Sequence, residues 1–189
     1  MGSILQKKIK LNRSLKKCYP ASLDIIPYGR QCVDDDDIAA VVEVLKKGPV
    51  TQGPKVQEFE SVLCRLTGAS FAVAVNSGTS ALHIACLAIV VGPGDEVITS
   101  PNTFLASANC TAYCGGTPIF ADIDPRTYNI APQEIARKIN ERTKEVIPVH
   151  FAGQSCDMAA IETVVRAAEK KYGHKIYIIE DACHTLASY

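Results

Sequence analysis

The sequence predicts an α/β fold, a mostly parallel sheet with helices on both faces. Three observations carry that prediction. Short apolar runs recur along the chain, and each is followed by a longer stretch with helical periodicity. The runs are continuously apolar rather than alternating, as strands covered on both faces are. Apolar residues make up 47% of the 189 residues and charged residues 21%, a composition that supplies a core and excludes disordered and fibrous chains.

The elements follow in order. Residues 34–37 are four aspartates, and the run after them, IAAVVEVLKKG, ends in Lys46, Lys47 and Gly48. Acids in a first turn and bases in a last turn suit the helix macrodipole, so the acidic run predicts a helix start rather than a metal cluster. A second helix opens at Pro54 and runs to about Thr67, with Val56, Phe59, Val62, Leu63 and Leu66 on one face and Gly68 as its stop. From there strands and helices alternate. Strand 71–75 (FAVAV) precedes helix 81–90, strand 96–99 precedes helix 103–114, and strand 118–121 precedes helix 132–140. Strand 146–150 then leads to helix 157–172, and strand 176–179 (IYII) ends in Glu180-Asp181. This order calls for a parallel sheet.

The formal net charge of zero hides an asymmetry. Six basic residues and no acidic one precede Asp24, leaving 14 basic against 20 acidic residues in the remainder. An acidic body makes a poor nucleic-acid binder, so no nucleic-acid partner is expected. Residues 1–25 read as a basic N-terminal arm, either a flexible extension or a short helix whose Ile4, Leu5, Ile9 and Leu15 touch an anionic surface. No apolar run approaches the ~20 residues a membrane span needs. Basic residues also interrupt the start of the chain where a secretory signal would lie, so a cytoplasmic location with no membrane partner is expected. The eight cysteines include no Cys-x-x-Cys pair. Most stand among Ala, Val, Leu or Ile, which predicts reduced structural thiols rather than zinc ligands or disulfides.

The chemistry is expected at the rim beyond the strands' carboxyl ends. Ser77-Gly78-Thr79-Ser80 lies between a strand and a helix start. There Gly78 lets a ligand approach the backbone, unpaired N–H groups face an anion, and Thr79 and Ser80 add hydroxyls. The same residues also suit an ordinary N-cap. Neither a Walker loop nor Gly-x-Gly-x-x-Gly is present, which disfavours a nucleotide-dependent dehydrogenase or methyltransferase. Asp181 could cap a helix, or pair with a protonated ring nitrogen and hold that charge. His184 lies one turn on, on the same side as Asp181 if a helix begins there. Phe104 could be core, or a stacking wall for a flat ring. A phosphate cradle, a stacking Phe and a ring-nitrogen Asp together outline pyridoxal 5′-phosphate.

Seven segments resemble the sugar aminotransferases of the DegT/DnrJ/EryC1/StrS family, from PYGRQ (27–31), GPVTQGPKVQEFE (48–60) and NSGTSALHIA (76–85) to GPGDEVITSPNTFLASAN (92–109). The others are FADIDPRTYNI (120–130), IPVHFAG (147–153) and IIEDACHTLASY (178–189). The resemblance covers residues 26–189 and implies the large domain of a pyridoxal-phosphate enzyme of fold type I. Within the family, PYGRQ, TQGPKVQEFE and SPNTFLASAN are most similar to the UDP-4-amino-4,6-dideoxy-N-acetyl-β-L-altrosamine transaminases of pseudaminic acid synthesis.

Carried across by position, the resemblance implies that Gly78, Thr79 and Ser80 hold the cofactor phosphate and that Phe104 stacks on the ring. It implies further that Asp181 pairs with the ring nitrogen, that His184 packs near the ring hydroxyl, and that Tyr28 and Gly48, Pro49, Val50 and Thr51 line a sugar-nucleotide pocket. The implied reaction moves an amino group from glutamate to C4 of a UDP-linked 4-keto-6-deoxy sugar, in a homodimer or with a partner supplying the rest of the fold. The family's cofactor-bonding lysine lies well downstream of the Asp-x-x-His motif. None of the 13 lysines here follows Lys175, so the catalytic lysine is absent from these residues, which are expected to be the N-terminal portion of a longer enzyme and inactive alone. A remnant or split-gene partner that binds cofactor or sugar nucleotide without turnover is the alternative.

Overall fold

A computed structural model of the chain describes residues 31–186. The basic arm 1–25 and Tyr28 lie outside the described residues. The chain divides into two compact units between Glu58 and Phe59.

In the first unit, helix α1 spans Asp35–Lys47. Asp34 is its N-cap. The Asp34 side chain accepts from the N–H groups of Asp36 and Asp37, and the Asp37 carboxylate accepts from the Asp34 N–H at 3.0 Å. The four aspartates thus form a reciprocal capping box, the helix start expected of them. A loop containing Gly48–Thr51 leads to α2, Pro54–Thr67, with the bounds the sequence suggested.

In the second unit, α3 (Gly78–Ala88), β1 (Glu96–Thr99), α4 (Ala106–Tyr113), β2 (Thr117–Phe120), α5 (Pro132–Lys138), β3 (Thr143–Ile147), α6 (Met158–Tyr172) and β4 (Tyr177–Ile178) follow in turn. The strands form one parallel sheet ordered β2-β1-β3-β4.

Strand parity sorts the buried side chains into two layers. Ile98 and Val146 face a core built with Ile135 of α5 and Ile161, Val165 and Ala168 of α6. Val97 and Ile147 face a second core built with Leu82 and Cys86 of α3 and Ala106 and Cys110 of α4. Helices therefore cover both faces, as the alternation of elements predicted. α3 and α4 also meet through a His83–Tyr113 edge contact at 5.4 Å.

Two features depart from the sequence reading. The run 71–75, expected as the first strand, has no ladder partner among the described residues. Phe71 is 89% and Val73 76% exposed. The Ala74 N–H of the run donates to Glu60 Oε1 at 2.8 Å. Apolar content predicts a strand's burial, but pairing needs a neighbour of matching register. The second departure is at the cysteines. Cys64, Cys86, Cys110, Cys114, Cys156 and Cys183 are free thiols, whereas Cys32 is disulfide-bonded. Cys32 is exposed between Gln31 and Val33, so the argument from apolar surroundings never applied to it.

The second core holds an acid. Glu145, in the middle of β3, is fully buried. The Cys86 thiol donates to its Oε2 at 3.6 Å, and its Oε1, like the buried Thr111 hydroxyl, has no partner among the described residues. Burial raises the Glu145 carboxyl from 4.5 to about 8.

Candidate functional site

The connection leaving β1 runs to β2 on one side, and the connection leaving β3 runs to β4 on the other. Diverging connections open a crevice at the carboxyl ends of these two central strands. Three segments end there: Ser100 to Phe104 after β1, His150-Phe151 after β3, and Asp181 after β4.

Asp181 is tethered twice. Its backbone extends the sheet, since its N–H donates to Pro148 O at 2.9 Å and its carbonyl accepts from the His150 N–H at 3.1 Å. Its side chain is tethered to α4, where the fully buried Ser107 hydroxyl donates to Asp181 Oδ2 at 2.7 Å. Ser107 Oγ in turn lies 2.7 Å from Thr103 Oγ1 and 3.3 Å from Phe104 O. The Cys183 thiol lies against the same carboxylate. Burial first, and that carboxylate second, push the thiol up to about 11. Asp181 Oδ1 has no N–H or O–H donor among the described residues.

A second polar group steadies the neighbouring loops. His150, buried, accepts the Cys156 N–H on Nδ1 at 3.0 Å and meets Glu180 Oε2 through Nε2 at 3.0 Å. That pattern puts the ring proton on Nε2. Asn129 accepts the Phe151 N–H at 2.9 Å and donates to Gln154 O at 2.9 Å, stapling the loop after β2 to the loop after β3.

At the start of α3 the capping duty falls to Ser77. Its Oγ accepts the Ser80 N–H at 3.1 Å and donates to Ser80 Oγ at 3.0 Å. The Gly78 and Thr79 N–H groups and the Thr79 hydroxyl have no partner among the described residues. A β-carbon built on Gly78 meets nothing within 4 Å, so the protein's own packing does not require glycine here, and the space above the helix start is open. Two free N–H groups at the positive end of a helix dipole suit an anion. The next turn brings Leu82 into the core that also holds Ala106, two residues beyond Phe104.

Phe104 is 75% exposed, so its ring is not part of a core. His184 is exposed, and no helix begins between Asp181 and Leu186. The Thr185 N–H bonds Ala182 O at 3.0 Å and closes a turn instead, so the helical spacing that would place His184 above Asp181 is missing. In the first unit, Gly48, Pro49 and Val50 line a cavity of about 290 Å³ together with Val44, Lys47 and Lys55, while Thr51 is outside its lining. A β-carbon at Gly53 would sit 2.8 Å from Pro49 O, so this loop's tight return needs glycine.

The sequence pointed to Asp181 and Phe104 and placed Thr103 at the rim, but did not single out Ser107, which bonds Asp181, or its pairing with Thr103. Thr103 precedes α4 and Ser107 lies on its first turn, so no helical-face spacing in the sequence marked the pair.

Residues 31–189 match the DegT/DnrJ/EryC1/StrS aminotransferase family. The chain belongs to that family. A curated relative, the spore coat polysaccharide biosynthesis protein SpsC of Bacillus subtilis, is 47% identical over 161 residues, covering 85% of this chain and 40% of SpsC. The sugar aminotransferase Spr1654 of Streptococcus pneumoniae, solved in a PMP form, superposes with a TM-score of 0.80 at 33% identity. That match covers 86% of this chain and 43% of Spr1654. CalS13 of Micromonospora echinospora, a sugar aminotransferase, gives a TM-score of 0.77 at 31% identity, covering 84% and 43%. The chain thus spans about two-fifths of the length of these DegT/DnrJ/EryC1/StrS relatives. No helix of the described residues is long and apolar enough to cross a membrane.

Proposed function

We propose that this chain forms the cofactor-holding part of a pyridoxal-phosphate sugar aminotransferase. In this reading the enzyme passes an amino group from glutamate to C4 of a UDP-linked 4-keto-6-deoxy sugar destined for a surface polysaccharide. The observation that carries it is the Asp181 carboxylate, fixed at the sheet's switch point by Ser107 on Oδ2 and with no N–H or O–H donor on Oδ1 among the described residues, in the unit whose α3 opens with free N–H groups. Family membership and the Spr1654 structure solved with PLP support the choice of ligand. The sequence segments support an altrosamine-type sugar, and SpsC supports a place in polysaccharide synthesis. A cytoplasmic location and a homodimer complete the reading.

The bound cofactor would supply an electron sink for the carbon that loses its proton. The protein's part follows from its residues. Gly78 and Thr79 N–H groups and the Thr79 and Ser80 hydroxyls bind the phosphate, and Phe104 covers one ring face. Asp181 keeps a proton on the ring nitrogen by close opposite charge, while Asn129, bridging two loops, holds the rim's shape. His184, in the turn three residues after Asp181, is assigned to the ring-hydroxyl side by the family resemblance alone. Tyr28 and residues 48–51 receive the sugar nucleotide.

The test is titration of the 189-residue chain with pyridoxamine 5′-phosphate, followed by the ligand's fluorescence. Saturable binding is expected, and none would overturn the reading. Gly78→Asp sharpens the test. A side chain fits there, and an acid in the first turn favours the helix, so folding is expected to be retained. The added charge should weaken the phosphorylated ligand at least about tenfold and leave pyridoxamine itself unaffected. Equal loss of both ligands would place the phosphate elsewhere.

A second reading, a partner that binds cofactor or sugar nucleotide without turnover, is favoured by the placement of the second unit's lysines. Lys138 ends α5, Lys144 opens β3, Lys170 and Lys171 end α6, and Lys175 precedes β4. All lie at the strands' amino ends, opposite the rim.

A further inference from the structure

We infer that Ser107, backed by Thr103, is a positioning residue that orients Asp181 toward the ring nitrogen of the bound pyridine ligand; the inference rests on the cofactor reading above. A serine hydroxyl has one proton to give, and three acceptors surround Ser107: Asp181 Oδ2 at 2.7 Å, Thr103 Oγ1 at 2.7 Å and Phe104 O at 3.3 Å. An ionised carboxylate can only accept, and hydrogen bonds to it are the short, strong ones. The Ser107 proton therefore goes to Asp181, and Thr103 fills the vacated role by donating its own proton to Ser107 Oγ. The chain has one direction, Thr103 to Ser107 to Asp181.

Geometry gives the chain its purpose. The Asp181 backbone is locked to Pro148 and His150, so the remaining freedom of its carboxylate is rotation about the side-chain bonds. Ser107 removes that freedom by holding Oδ2, and it is itself fixed, fully buried on the first turn of α4. Oδ1 is left for a ring N–H. Cys183 also touches the carboxylate, but from an exposed turn and with a weakly donating thiol. It does not replace Ser107.

The experiment compares two ligands on the 189-residue chain: pyridoxamine 5′-phosphate and its carbocyclic analogue, in which C–H replaces the ring nitrogen. The ratio of their affinities isolates the Asp181 contact. Ser107→Ala is expected to lower that ratio about tenfold, and Thr103→Val to lower it less, in the same direction. In an Asp181→Asn background, Ser107→Ala should leave the ratio unchanged. A structural role alone would weaken both ligands equally, and that result in Ser107→Ala or Thr103→Val would overturn the inference. Should Ser107→Ala fail to fold, the half-buried Thr103→Val carries the test. A parent chain that binds neither ligand would instead overturn the cofactor reading. A parent that binds both ligands equally well would remove Asp181 as the ring's partner, and the inference with it.

Discussion

A polypeptide of these 189 residues, supplied with pyridoxal phosphate, glutamate and a UDP-4-keto-6-deoxy sugar, is expected to give no measurable amination. The reason is spatial. Transamination needs a positioned amine that carries a proton between substrate and cofactor carbons, and losing such a group typically costs about 10²–10⁴-fold. In the second unit every lysine sits at the amino ends of the strands. Lys144 is the second residue of the five-residue β3, so about 10 Å of strand separates it from the strand's carboxyl end. The assay is amino-sugar formation under saturating glutamate. Catalytic turnover by the pure chain would show that one of its own lysines, or another base, reaches the rim.

Replacing Glu145 by Gln is expected to make the protein markedly more stable at pH 8 and to flatten its response to pH. Glu145 is held near 8 in the folded protein against 4.5 for an ordinary glutamate. Below pH 4.5 both folded and unfolded chains carry the proton, and stability is at its fullest. As pH rises from 4.5 toward 8 the unfolded chain releases the proton while the folded chain keeps it, so stability falls; above 8 the loss levels off. At 1.36 kcal/mol per unit, the full window corresponds to about 4–5 kcal/mol, a large share of a domain's total. Urea denaturation at pH 5, 6, 7 and 8 checks it. The parent midpoint should drop steadily with pH, and the midpoint of the Glu145→Gln variant should not. Parallel curves would show that water reaches Glu145 and that it ionises in place.

What could be read from the sequence was what depends on near neighbours. The capping box at residues 34–37, the Pro54 opening and the alternation that builds a parallel sheet are all written within a few residues. Strand 71–75 was legible as apolar but not as unpaired, because a ladder is a property of two segments. Glu145 escaped notice because strand 146–150 was placed three residues late, and the shift hid an inward-facing acid among Val and Ile. Ser107 carries no motif of its own and becomes visible only once α4 and the end of β4 are placed side by side. The helical spacing of Asp181 and His184 failed for the opposite reason: it assumed a helix where the chain closes a turn. The Cys32 disulfide lay beyond any argument from burial.

The Glu60–Ala74 bond has a bearing on how the protein behaves in a flask. Five consecutive uncharged residues without proline are the kind of template on which cross-molecule stacking begins. A carboxylate clipped onto the middle of that template interrupts it, as charged gatekeepers do beside sticky strands elsewhere. Resistance to aggregation is therefore expected to depend on the Glu60 side chain.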